Sequence, residues 1–98
     1  MLFAIMSFDK ADSLELRQST RQSHIEYLKS QGDRLKLAGP LYEGEDVGNM
    51  NGSLVVIDAD NIEAAQRFAA NDPYALAGLF ETVHIRPWNL VVNQTSQN

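Results

Sequence analysis

The sequence predicts one α+β domain with its elements in the order β-α-β-β-α-β, and three observations lead there. Residues 2–8 and 53–58 are apolar runs with almost no polar alternation, which read as strands buried on both faces. Residues 13–31 and 62–70 contain neither Gly nor Pro and read as helices. Residues 34–38 and 81–92 alternate polar and apolar side chains, as strands with one buried face do. At 98 residues the chain has the size of one domain, taken as 1–98, with no room for a second.

Taken in order, the first strand ends where Asp9-Lys10-Ala11-Asp12 turns the chain. Asp12 or Ser13 is the expected cap of the first helix, and Glu15, three residues after Asp12, fits a capping box. Gly32 supplies the left-handed stop. The second strand is bent at Gly39-Pro40 and continued by Leu41-Tyr42. Residues 43–52 hold three glycines, two asparagines and three acids, the composition of a hairpin loop. Asp60 or Asn61 caps the second helix, whose apolar face is Ile62, Ala65, Phe68 and Ala69. Asn71-Asp72-Pro73-Tyr74 breaks that helix, and 75–79 form a further short turn. In the last strand Val83, Ile85 and Pro87 oppose His84, Arg86 and Trp88, and 93–98 form a polar, frayed tail.

This order is the ferredoxin-like split βαβ unit: a four-stranded antiparallel sheet, first and third strands central, both helices on one face. The helices cover one face of the two apolar strands, so the other needs a second cover. A second copy of the same sheet is the simplest one, which makes a homodimer through the sheet faces the expected assembly.

Several classes of function are disfavoured. Thirteen acidic against eight basic residues give a net charge of -5, the opposite of a nucleic-acid binder's balance. No apolar window approaches the roughly 18 residues of a membrane span. The absence of cysteine removes disulfides, thiol nucleophiles and thiolate metal sites, and suits a cytoplasmic protein. His24 and His84 are far apart in the chain, and the acids at 43, 45 and 46 lack the spacing of a calcium loop. The glycines at 44, 48 and 52 do not lead from a strand into a helix, and no nucleophilic serine motif is present. No metal and no cofactor are expected.

The first helix departs from simple amphipathicity. At about 100° per residue, Leu14, Arg17, Arg21, His24, Ile25 and Leu28 share one stripe. Ile25 and Leu28 are ordinary core residues, whereas Arg17, Arg21 and His24 must rim an open cleft or meet acids. The plainer reading for the arginines is that the first turns overhang the sheet and let them reach water. Asp72 before Pro73 is a standard helix cap, and it becomes a functional group only by meeting a partner across the fold. A histidine paired with an aspartate is oriented and made more basic, as general acid/base chemistry requires.

The same residues carry a family likeness. Asp9-Lys10-Ala11-Asp12-Ser13-Leu14, then Arg17, Arg21 and His24, then Ala38-Gly39-Pro40-Leu41 are followed by Gly52-Ser53 and Glu63-Ala64-Ala65. Asn71-Asp72-Pro73-Tyr74, Ala77-Gly78-Leu79, Val83 and Pro87 complete the series, and the chain resembles the YciI-like (YCII-related) proteins over nearly its whole length. The resemblance implies a ferredoxin-like domain that dimerises into an α+β barrel, with a site centred on a histidine and an aspartate. Carried onto this chain, these are His24 and Asp72. Relatives acting on chlorinated muconolactones, and muconolactone isomerases in the wider fold group, imply proton transfer, isomerisation or elimination on a lactone-like or carboxylate compound without a cofactor.

On that expectation His24 is the acid/base and Asp72 its orienting partner. Arg17 or Arg21 anchors a carboxylate through its planar fork, and Tyr74 with the backbone at Gly39 and Pro40 lines the pocket. The alternatives are a non-catalytic dimeric binding module for a small anionic metabolite, and a purely structural dimer.

Overall fold

The computed structural model describes residues 1–95. Its elements are β1 (Leu2–Asp9), α1 (Leu14–Lys29), β2 (Leu35–Tyr42), β3 (Met50–Asp58), α2 (Ile62–Ala70), α3 (Pro73–Leu76) and β4 (Phe80–Trp88). The four strands form one sheet in the order β2-β3-β1-β4, every neighbouring pair antiparallel, with β1 and β3 central. This is the ferredoxin-like α+β fold expected from the element order.

Register sorts the side chains onto two faces. Phe3, Ile5 and Ser7 oppose Ile57, Val55 and Ser53 of β3 and, on the other side, Pro87, Ile85 and Val83 of β4. Residues directly opposite share a face, so all of these point the same way. Phe3, Ile5, Val55 and Ile57 form the core with Leu28 of α1 and Ala65 and Phe68 of α2. The other face carries Leu2, Ala4, Met6 and Phe8 against Asp58, Val56, Leu54 and Gly52. No helix covers it among the described residues. The segment after β4 lies beside Leu2, Leu37, Val56 and Trp88, with Val56 buried, while Met6, Phe8, Leu37, Leu54 and Trp88 are exposed, at 37–47% of their full accessibility. The apolar runs of β1 and β3 therefore belong to two surfaces, one filled by the chain's own helices and one open.

Several boundaries differ from expectation for local reasons. β3 begins at Met50 rather than at 53, because Gly52 is a sheet residue and not part of the loop. A Cβ there would stand 2.6 Å from the Ser7 carbonyl oxygen, so only glycine allows this approach to β1. β2 runs unbroken through Gly39-Pro40. It is an edge strand, where a missing N–H on the outer side costs no ladder bond. The capping box does not form: Ser13 occupies the cap position, but its hydroxyl donates to the Ala11 carbonyl, and Asp12 takes a positive φ of 56°. Gly32 does adopt the left-handed conformation, at φ 63°, and Asn61 caps α2 by accepting from the Ala64 N–H at 2.9 Å.

α3 starts at Pro73, earlier than expected, and β4 ends at Trp88 rather than 92. Residues 89–95 belong to neither helix nor strand, and the remainder of the expected tail, 96–98, lies outside the described residues. No described helix is long and apolar enough to cross a membrane.

Gly52→Ala is expected to destabilise the fold by about 1–3 kcal/mol, read as a lower midpoint in urea denaturation at unchanged slope. An unaltered midpoint would mean that the strands separate there without cost.

Candidate active site

The inward face of α1 buries Arg17, His24 and Leu28. Leu28 joins the apolar core. Arg17 and His24, two turns apart, instead meet polar partners from β1, β3 and the turn before α3, and each is satisfied in a different way.

His24 meets Asp72 across 48 residues of chain. Its Nδ1 lies 2.8 Å from Asp72 Oδ1, a charge-assisted contact with both side chains about nine-tenths buried. The same carboxylate oxygen accepts the Tyr74 N–H at 2.9 Å as the cap of α3, with Pro73 in the first turn. Asp72 is therefore a helix cap and the partner of the imidazole at once. The contact assigns the Nδ1 proton to the Asp72 side, leaving Nε2 as the ring nitrogen with a free lone pair in the neutral imidazole. Every fully buried polar side-chain atom among the described residues has a partner. Nε2 has none, so it touches open space.

Arg17 is engaged through Nε, Nη2 and the face of its guanidinium. Its Nε and Nη2 donate to the two oxygens of Asp9 at 2.7 and 2.8 Å, and Nη2 also donates to Ser53 Oγ at 2.9 Å. Both side chains of the ion pair are 3% exposed. The guanidinium carbon sits 4.6 Å from the centre of the Tyr74 ring, a cation–π contact. Burial opposes the charge on Arg17, but the Asp9 carboxylate outweighs it and holds the group above its ordinary value. The first turns of α1 thus do not carry Arg17 out into water. Its fork is filled by Asp9, which leaves little for a ligand's carboxylate. Arg21, one turn further, is exposed and makes no hydrogen bond or ion pair among the described residues.

Tyr74 ties the two groups together. Its ring stacks on the His24 imidazole, centroids 4.0 Å apart and planes 19° from parallel, and Phe80 meets it edge-on at 5.9 Å. Beside this column opens a cavity of about 180 Å³. Arg17, Arg21, His24 and Ile25 wall it from α1, with Gly39, Pro40 and Ser53 from the sheet and Tyr74 from α3. Asp72 stands behind the imidazole and does not line the space. For scale, a cavity of roughly 150 Å³ holds one benzene ring.

Two members of this network, Asp9 and Ser53, were not foreseen. Alternation reaches Ser53, since 53, 55 and 57 share a face of β3. It does not reach Asp9, which lies past a register shift between Phe8 and Asp9, at the point where the sequence predicts a turn. The described residues contain no cluster of acids and histidines suited to a metal ion.

Residues 1–89 match the YCII-related domain. The chain belongs to that family. Among YCII-related proteins it is similar to YciI of Escherichia coli O6:H1, with 41% identity over 97 residues, 93% of this chain and 99% of that protein. An uncharacterised protein of Haemophilus influenzae is 33% identical over the same shares. Among solved structures it is similar to 5-chloro-2-hydroxyhydroquinone dehydrochlorinase (TftG) of Burkholderia phenoliruptrix AC1100, in complex with 2,5-dihydroxybenzoquinone. There the TM-score is 0.83 and the identity 30%, covering 91% of this chain and 94% of the other. SnoaB of Streptomyces nogalater, a cofactor-independent oxygenase, shares the fold at TM-score 0.61 and 15% identity, with 97% of each chain covered.

Asp9→Ala leaves a YCII-related domain with a buried, unpaired guanidinium and is expected to cost about 3–5 kcal/mol in chemical denaturation. Adding Arg17→Met should recover part of that loss. A double variant no more stable than the single one would show that the pair is not a coupled unit.

Proposed function

We propose that this protein is a small-molecule enzyme in which His24, oriented by Asp72, moves a proton on a compact carbonyl compound. The observation that carries this is the 2.8 Å contact between His24 and Asp72, with the opposite ring nitrogen free at a cavity the size of one ring. Nε2 takes an acidic hydrogen next to a carbonyl, and the electron pair moves into the carbonyl to give an enolate. The enolate either expels a leaving group from the neighbouring carbon, for net loss of HX, or takes the proton back at another carbon, which is isomerisation. Neither outcome needs an electron acceptor or a cofactor. The Asp72 carboxylate stabilises the imidazolium formed in between.

Arg21 gives the substrate class. It carries the cavity's unpaired cation, in a protein whose net charge of -5 otherwise repels anions. The favoured substrate is therefore a small lactone-like or hydroxylated ring compound with an acidic oxygen or carboxylate. The dehydrochlorinase that shares 30% identity with this chain acts on a compound of that size, and its bound quinone is of the same kind.

The enzyme is further read as a homodimer built on the uncovered sheet face. Met6, Phe8, Leu37, Leu54 and Trp88 lie exposed there, an apolar surface of a kind that soluble monomers rarely leave open. Two copies of one face are self-complementary under a two-fold axis.

Two measurements check these readings. With 5-chloro-2-hydroxyhydroquinone as probe, a phenol whose keto tautomer supplies the carbonyl and the tetrahedral C–Cl carbon, the unmodified protein is expected to release chloride and leave a hydroxyquinone. His24→Gln should lower the rate by about 10²–10⁴-fold, and Asp72→Asn, which keeps the cap, by up to about 10⁴-fold. Unchanged release by a folded His24→Gln would remove His24 from the chemistry. In sedimentation equilibrium the unmodified protein should be dimeric and Leu54→Lys largely monomeric; a monomer at micromolar concentration in the unmodified protein would overturn the dimer.

A further inference from the structure

We propose that Tyr74 does more than wall the cavity: its phenolic O–H donates the hydrogen bond that holds the substrate oxygen on which negative charge develops while His24 moves the proton. This rests on the acid/base reading above and assigns it a second group.

The ring of Tyr74 is fixed by contacts on several sides. The imidazole stacks on it at 4.0 Å, the Arg17 guanidinium carbon lies 4.6 Å from its centre, and Phe80 meets it edge-on. Its backbone N–H is held by Asp72. These contacts restrain the ring as firmly as a core residue, and Tyr74 is 2% exposed. A donor meant for a charge that appears only during reaction has to be held in this way, since it then needs no reorganisation when the charge forms.

The hydroxyl proton has no acceptor among the described residues. Arg17 lies close enough to influence the phenol oxygen, but a guanidinium carries donors only. It can feed a lone pair of that oxygen and cannot take its proton. Among the described residues no carbonyl or carboxylate accepts from the Tyr74 hydroxyl. Because no fully buried polar side-chain atom is left without a partner, the hydroxyl either is touched by Arg17 or keeps some open surface, and in both cases its hydrogen is not taken up by a protein acceptor among the described residues. Arg17 beside it polarises the O–H toward donation. Burial meanwhile lifts the phenol above its ordinary value of 10.0, against the pull of Arg17 and Arg21, so the proton is present at neutral pH.

The two stacked side chains, 4.0 Å apart and nearly parallel, both line the one cavity of about 180 Å³. A single-ring compound there presents a carbonyl oxygen to one and the neighbouring acidic hydrogen to the other. The abstracted proton goes to Nε2 and the electron pair to the carbonyl oxygen, where the phenol hydrogen bond receives it. No atom is lost and nothing is oxidised.

The test uses 2,5-dihydroxybenzoquinone, whose charge sits on ring oxygens, as a stable probe in titration calorimetry, alongside chloride release from 5-chloro-2-hydroxyhydroquinone. Tyr74→Phe keeps the ring and its stack and deletes only a hydroxyl with no acceptor, so its melting temperature should stay near that of the unmodified protein. Its affinity for the probe is expected to fall roughly ten- to hundredfold, with a comparable loss in kcat for chloride release. Unchanged affinity and kcat in Tyr74→Phe overturn the tyrosine assignment and leave the His24 reading standing. Chloride release by His24→Gln at the unmodified rate overturns the acid/base reading whatever Tyr74 does. Failure of the unmodified protein to bind the probe overturns both.

Discussion

One oxygen atom organises the site. Asp72 Oδ1 accepts from the Tyr74 N–H and pairs with His24 Nδ1, so a single carboxylate caps α3 and orients the imidazole of α1. A helix of four residues, Pro73–Leu76, has almost no stability of its own. The cap, the proline in its first turn and the stacking of Tyr74 on His24 hold it in place. The dependence runs both ways. Without α3 the imidazole loses its partner and the face it stacks on, and without the imidazole the carboxylate keeps only its capping bond. The same contacts hold α3 and set the orientation of the imidazole.

The electrostatics of the cavity follow from which cations are already matched. Arg17 is surrounded by Asp9, Ser53 and the Tyr74 ring, so its charge is neutralised and its side chain serves as a strut between β1, β3 and α3. A buried pair of this sort adds little net stability, because desolvation offsets the Coulomb attraction, but it tolerates only one arrangement of its partners. Arg21, with no such partner, is left to give the opening its positive charge. Two arginines one turn apart on the same helix thus end in opposite roles, decided by whether an acid lies within reach of each.

The sheet serves two surfaces. Its helix-facing side holds the apolar core at one end and, where Ser7 and Ser53 replace larger groups, the polar network at the other. Its opposite side is apolar and carries no helix among the described residues. The cavity walled by His24 and Tyr74 opens on the helix side.

Much of this was legible in the residues. Element order gave the topology, since six alternating segments of this size pack in few ways, and the central position of β1 and β3 followed from their unbroken apolarity. His24 stood out because helical periodicity put it on a face meant for the core. Three things were not legible. Asp9 passed as a turn residue because strand ends are weakly marked, Gly52 passed as loop because a close approach of two backbones leaves no sign in one of them, and Arg17 could not be told from Arg21. By itself the sequence determined what local periodicity encodes: which segments are helix or strand, their order, and which side chains face inward. Only the tertiary structure decided which inward polar groups touch, that Asp9 takes Arg17 and Asp72 takes His24. Such pairs form between residues 8 and 48 positions apart through the packing of whole elements, and no spacing along the chain measures that distance.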